Sequence, residues 1–99
     1  MRTVPATQEA TISDDVVSVL IVDDQPPFRA VARTVVGVTP GFHVAGEAET
    51  GEEAVEVARR ERPGLVLMDI NLPGINGIEA TRRILAELPE TVVVLLSTY

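Results

Sequence analysis

Apolar and polar positions follow two different rhythms along this chain. Four stretches are short and almost continuously apolar: Val16–Val22, Phe42–Gly46, Leu65–Asp69 and Thr91–Ser97. Runs of this kind, bounded by turn residues, predict strands buried on both faces, as in a parallel sheet under helices. Between them the apolar positions recur at helical spacing. Phe28, Val31, Ala32, Val35 and Val36 fall at i, i+3, i+4, i+7 and i+8, a stripe that Gly37 and Pro40-Gly41 are expected to stop. Asp24 or Gln25, just ahead of Pro26-Pro27, is expected to cap that helix. After a loop at Glu47–Gly51, a second helix over Glu52–Glu61 buries Ala54, Val55 and Ala58. A third starts after Gly77, turns Ile78, Thr81, Ile84, Leu85 and Leu88 inward, and closes at Pro89. The order is β-α-β-α-β-α-β. Right-handed crossovers then give an α/β fold, a doubly wound parallel sheet with helices on both faces.

Composition narrows the chemistry. Ninety-nine residues make one domain at most, and 45% hydrophobic content is ample for a core, although only 3% is aromatic. Residues 1–15 carry no apolar run and read as a loosely ordered tail, which leaves residues 16–99 as the domain. The absence of Cys excludes disulfides and thiolate chemistry, and the single His43, inside an apolar run, cannot build a histidine metal site. Carboxylates outnumber bases 15 to 8, a net charge of −7, which argues against direct nucleic-acid binding and favours cations. No segment approaches the ~20 apolar residues of a membrane span, so a cytoplasmic protein is expected. All eight bases are Arg; the chain has no Lys.

The candidate chemistry lies at strand ends. The run Leu65-Val66-Leu67-Met68 leads straight into Asp69, and Pro73-Gly74 and Asn76-Gly77 then reverse the chain. The first strand likewise ends on Asp23-Asp24. Ligands of open α/β sheets bind at the carboxyl ends of the strands. If these two strands are neighbours, three carboxylates converge there and need a counter-charge, and hard oxygen ligands suit Mg²⁺ or Mn²⁺. Read separately, each Asp is an ordinary helix cap or turn former, but that leaves their shared position unexplained.

Three motifs in order carry a resemblance: Val19-Leu20-Ile21-Val22-Asp23-Asp24, Met68-Asp69-Ile70-Asn71-Leu72-Pro73-Gly74, and Val94-Leu95-Leu96-Ser97. Together they are similar to the receiver domain of bacterial two-component response regulators. Pro27-Phe28-Arg29 and Gly46-Glu47-Ala48 resemble the LuxR/NarL-type subfamily. The resemblance covers roughly Val16 to Tyr99 and implies a flavodoxin-like (CheY-like) sheet in the order 2-1-3-4-5. It implies Asp69 as phosphate acceptor, and Mg²⁺ held by Asp24, Asp69 and the backbone carbonyl of Asn71, with Asp23 helping directly or through water. It further implies Ser97 as the hydroxyl that binds the phosphoryl group and shifts on activation. The partners implied are a sensor histidine kinase and a C-terminal DNA-binding output domain on the same protein.

The chain departs from this pattern in one respect. The family's Lys, on a fifth strand, has no counterpart, and neither do that strand or the helices on either side of it. The reading is of a receiver domain cut short after the fourth strand. Its uncovered edge and helix faces are expected to pair with a second copy, giving a homodimer. The missing Lys keeps a pseudo-receiver in view. A Mg²⁺ phosphatase with an Asp nucleophile, of the haloacid-dehalogenase type, would need a second Asp at position 71, where this chain has Asn. A flavodoxin-like cofactor module would want Gly, Ser and Thr after the first strand, where Asp23-Asp24-Gln25-Pro26-Pro27 stands instead.

Overall fold

A computed structural model describes residues 16–97. The expected N-terminal tail and Tyr99 lie outside the described residues. Strands β1 (Val17–Val22), β2 (Phe42–Ala48), β3 (Leu65–Asp69) and β4 (Val92–Leu96) alternate with helices α1 (Pro26–Val38), α2 (Gly51–Glu61) and α3 (Gly77–Glu87). All four strands pair in parallel, in the order β2-β1-β3-β4. The crossover from β1 through α1 runs one way along the sheet, and those through α2 and α3 run the other way. Right-handed crossovers in opposite directions put helices on opposite faces.

Two cores follow. On one face Val19 and Ile21 pack with Val36 of α1, with Ala32, Val44, Leu65 and Leu67 around them. On the other, Leu20, Val22, Val66 and Met68 meet Ala54, Val55, Val57 and Ala58 of α2 and Ala80, Ile84 and Leu88. Strand alternation divides β1 between the two cores residue by residue.

Several elements differ from their sequence reading, each for a physical reason. Helix α1 runs through Gly37 to Val38. A glycine only weakens a helix, whereas Pro40 forces the residue before it out of helical conformation, and Thr39 is extended (ψ 115°). The expected side-chain cap is also absent: Gln25 is the N-cap and caps with no side-chain bond. Strand β2 extends to Ala48, because Glu47 and Ala48 still pair with Ile21 and Val22. Between Val44 and Gly46 its register slips by one residue against β1.

In α3 the inward stripe is rotated from the expected one. Ile84 and Leu88 are buried as expected, but Ile78 is 57% exposed and Leu85 sits at the surface, while Gly77 and Ala80 turn inward. Gly77 fixes this rotation. Its amide donates to the Ile70 carbonyl (2.9 Å), and a Cβ there would collide with the carbonyl of Asp69. Strand β4, apolar enough for burial on both faces, is the uncovered edge that was expected, with exposed Val92, Val94, Leu95 and Leu96. Helix α1 covers β1 and β2 but not β4, so Phe28, Val31 and Val35 of the expected stripe are also exposed.

The rotation of α3 is directly testable by urea unfolding. Ile84→Ala is expected to cost about 2–5 kcal/mol, as for a buried large-to-small change. Ile78→Ala, on the same helix, is expected to fall within about 0.5 kcal/mol of wild type, as for a surface substitution.

Candidate functional site

The register of β1 against β3 builds the site. Val22 lies opposite Met68, so the next residues, Asp23 and Asp69, leave the sheet level with one another. This is the point where the direction of winding reverses, and the crevice opened there is where ligands of such sheets bind. Asp23, Asp24 and Asp69 each bring a carboxylate oxygen within 4.8 Å of the other two. The three acids expected from the sequence are therefore brought together.

Each acid is held by the backbone around it. Asp69 is 3% exposed, and its Oδ1 accepts from the Asn71 amide (3.0 Å). This short turn leaves its second oxygen available at the crevice. Asp23 Oδ1 accepts from the Gln25 amide (2.8 Å), while the Asp23 amide donates to the Ala48 carbonyl (3.1 Å). Burial pushes the Asp23 carboxyl above its usual range, and the charges of Asp69 and Asp24 add to that shift. The Gln25 amide and Arg29 oppose it.

The other expected residues flank this cluster. Asn71 is exposed on the turn after Asp69 and supplies the amide just described. Ser97 is exposed and follows Leu96, which is level with Asp69 and accepts the Ile70 amide on its carbonyl (3.0 Å). It thus stands at the same sheet end, one strand over.

Three residues were not singled out for the site. Arg29, mostly buried by its neighbours, donates from Nη1 to the Asp23 carbonyl (2.7 Å). Glu52, in the first turn of α2, accepts the Ile75 amide (3.3 Å) and lies against Gly74, whose φ of +76° favours glycine. It ties the loop after Asp69 to the start of α2. Gly77 lets α3 approach the Asp69 carbonyl. Asn76-Gly77 carried a turn signal and Arg29 stood in the Pro27-Phe28-Arg29 segment of the resemblance, while Glu52 carried no signal beyond an exposed helix position.

Donor chemistry and placement define the class: an open parallel α/β domain with a carboxylate cluster at its switch point, suited to a hard divalent cation. The family model described as the response regulator receiver domain matches residues 19–99. The chain belongs to that family. It is 46% identical over 83 residues to protein-glutamate methylesterase/protein-glutamine glutaminase 4 of Myxococcus xanthus, covering 84% of this chain and 24% of that protein. It is 35% identical over 88 residues to the transcriptional regulatory protein DegU of Brevibacillus brevis, covering 89% and 37% respectively. Among solved structures, a LuxR-family two-component response regulator from Aurantimonas sp. SI85-9A1 superposes with a TM-score of 0.80 at 33% identity. That match covers 85% of this chain and 60% of the other. The chain thus spans a quarter to a little over a third of the length of these two relatives.

The electrostatics of the cluster give a sign that can be measured. A carboxyl whose folded pKa is raised contributes stability below its unfolded pKa and loses it as pH rises through the folded value. In divalent-free buffer, Asp23→Asn is therefore expected to raise the urea midpoint at pH 7, since Asn keeps an oxygen for the Gln25 amide. The gain should shrink to nothing below pH 4. An equal gain at both pH values would assign the effect to something other than charge.

Proposed function

We propose that this chain is the phosphoacceptor domain of a two-component response regulator, with Asp69 as acceptor and Mg²⁺ or Mn²⁺ as cofactor. The observation that carries this is the convergence of Asp23, Asp24 and Asp69 at the switch point. Three hard carboxylates on rigid strand ends, open to water on one side, fit such an ion. Asp24 and Asp69 would hold it with the Asn71 carbonyl, and Asp23 directly or through water. When bound, the ion neutralises phosphoryl oxygens that would otherwise be repelled by the cluster.

The chain's own residues supply the rest. The free oxygen of Asp69 attacks phosphorus as the bond to the kinase histidine breaks, giving an acyl phosphate and a neutral imidazole after protonation. The Asn71 amide holds the other oxygen and so orients the attack. Ser97, one strand over at the same sheet end, would donate its hydroxyl to the phosphoryl group. The chain has no Lys to offer an ammonium as well. The domain catalyses its own modification and passes the change to an attached output domain. Resemblance to DegU and to the LuxR-family regulator supports a DNA-binding output. Resemblance to the Myxococcus methylesterase supports a second reading, in which the output is an enzyme.

Labelling with a small phosphodonor in Mg²⁺ tests the assignment. Wild type is expected to take up acid-labile phosphate, Asp69→Asn none, and Ser97→Ala nearly as much as wild type. Acid-stable label persisting in Asp69→Asn would move the acceptor to a Ser or Thr.

We also infer that a second copy covers the apolar surface left by Phe28, Val31, Val94 and Leu96, of which Phe28, Val31 and Leu96 line a recess of about 160 Å³ beside β1. The outer edge of β4, unpaired among the described residues, favours strand pairing between chains. Light scattering across a dilution series is expected to show mass falling toward the monomer. Val31→Glu combined with Val94→Lys should give a monomer throughout; a wild type that is monomeric at every concentration would refute the dimer.

A further inference from the structure

The two segments that resemble the LuxR/NarL-type subfamily, Pro27-Phe28-Arg29 and Gly46-Glu47-Ala48, lie far apart in sequence yet meet in space. Arg29 approaches Glu47 at 3.5 Å and Glu49 at 3.6 Å, and its Nη1 donates to the Asp23 carbonyl at 2.7 Å. Its side chain is only 14% exposed. Arg33, one turn further along α1, also binds Glu47, at 2.6 and 3.0 Å, but is 52% exposed and bonds to no backbone group among the described residues. Glu47 therefore serves two arginines, of which one reaches the acid site.

What Arg29 holds is the peptide between Asp23 and Asp24. The Asp23 carbonyl is pinned by the guanidinium, and the Gln25 amide is pinned by Asp23 Oδ1 at 2.8 Å. Asp24 lies between these two fixed points, with no further constraint needed to set the direction of its backbone. We propose that Arg29, braced by Glu47, is a positioning residue that aims Asp24 at the divalent cation; this rests on the cation reading given above. A planar guanidinium suits the task because it can donate to a carbonyl and to carboxylates at once.

The sign of its effect separates this role from the alternatives. Arg29 is a cation beside a cation site, so charge alone predicts that removing it tightens metal binding. Positioning predicts the opposite. Mn²⁺ titration followed by electron paramagnetic resonance on the 99-residue chain reads this without any phosphoryl transfer. Arg29→Met is expected to weaken Mn²⁺ binding by about tenfold or more, as for other residues that orient metal ligands. Arg29→Lys, with one donor in place of the fork, should fall between the two. Arg33→Met should leave affinity within about twofold, because among the described residues that arginine bonds to Glu47 and not to the acid site.

Unchanged or tighter binding in Arg29→Met, with the circular dichroism of wild type, would overturn the proposal. So would an equal loss in Arg33→Met. If Arg29→Met does not fold, Arg29→Lys and Glu47→Gln decide, and wild-type affinity in both would overturn it. Asp24→Ala serves to separate the two readings. If wild type binds no Mn²⁺, or Asp24→Ala binds as wild type does, the cation site fails and the role of Arg29 with it. If Asp24→Ala loses binding and Arg29→Met does not, only the role of Arg29 fails.

Discussion

Parallel pairing of β1 with β3, with Val22 against Met68, is the constraint on which the rest of this domain depends. It brings Asp23 and Asp69 out of the sheet at one level, from segments more than forty residues apart. Hydrophobic burial enforces it: shifting either strand by one residue would send Leu20, Val22, Val66 and Met68 to the wrong face. The like charges at the strand ends oppose the arrangement, adding to the burial that chiefly raises the Asp23 pKa. The apolar interior thus holds together at one edge a set of groups that would separate if free.

The surroundings of the acids divide into backbone and side-chain restraints. Asn71 and Gln25 each offer an amide to an Asp two residues before, so both acids are oriented by their own turns. More distant groups then fix those turns. Glu52 restrains the loop after Asp69, Gly77 brings α3 against it, and Arg29 restrains the loop after Asp23. None of these groups lies on the strands that present the acids. The site is made by two strand ends and kept in shape by three helices.

Much of this was legible in the sequence, because the strands are runs of Val, Ile and Leu too short for helices and too continuous for a half-exposed sheet. The acids were legible because turn chemistry follows them immediately. What escaped had no periodic signal. Gly77 read as a turn residue, yet its close approach to the Asp69 carbonyl rotates α3 and turns Ile78 outward. Gly37 read as a stop, but it is exposed, unstrained and helical, and Pro40 does the stopping. The exposed edge at β4 was legible as well: the run is apolar enough for burial on both faces, yet it forms the outer strand of the sheet among the described residues.

The one-residue slip in β2 sets how this strand may change in length. Before the slip Val44 faces α1 beside Val19; after it Glu47 lies against α1 and its arginines, and Ala48 packs beneath α2. The extra residue, Ala45, is taken up at the slip. Deleting it would place Gly46 directly after Val44 in unbroken register, with Glu47 still against α1 and Ala48 still beneath α2. The slip therefore absorbs one residue without exchanging the faces on either side of it. Through it, β2 can hold an odd or an even number of residues between the same two sets of contacts.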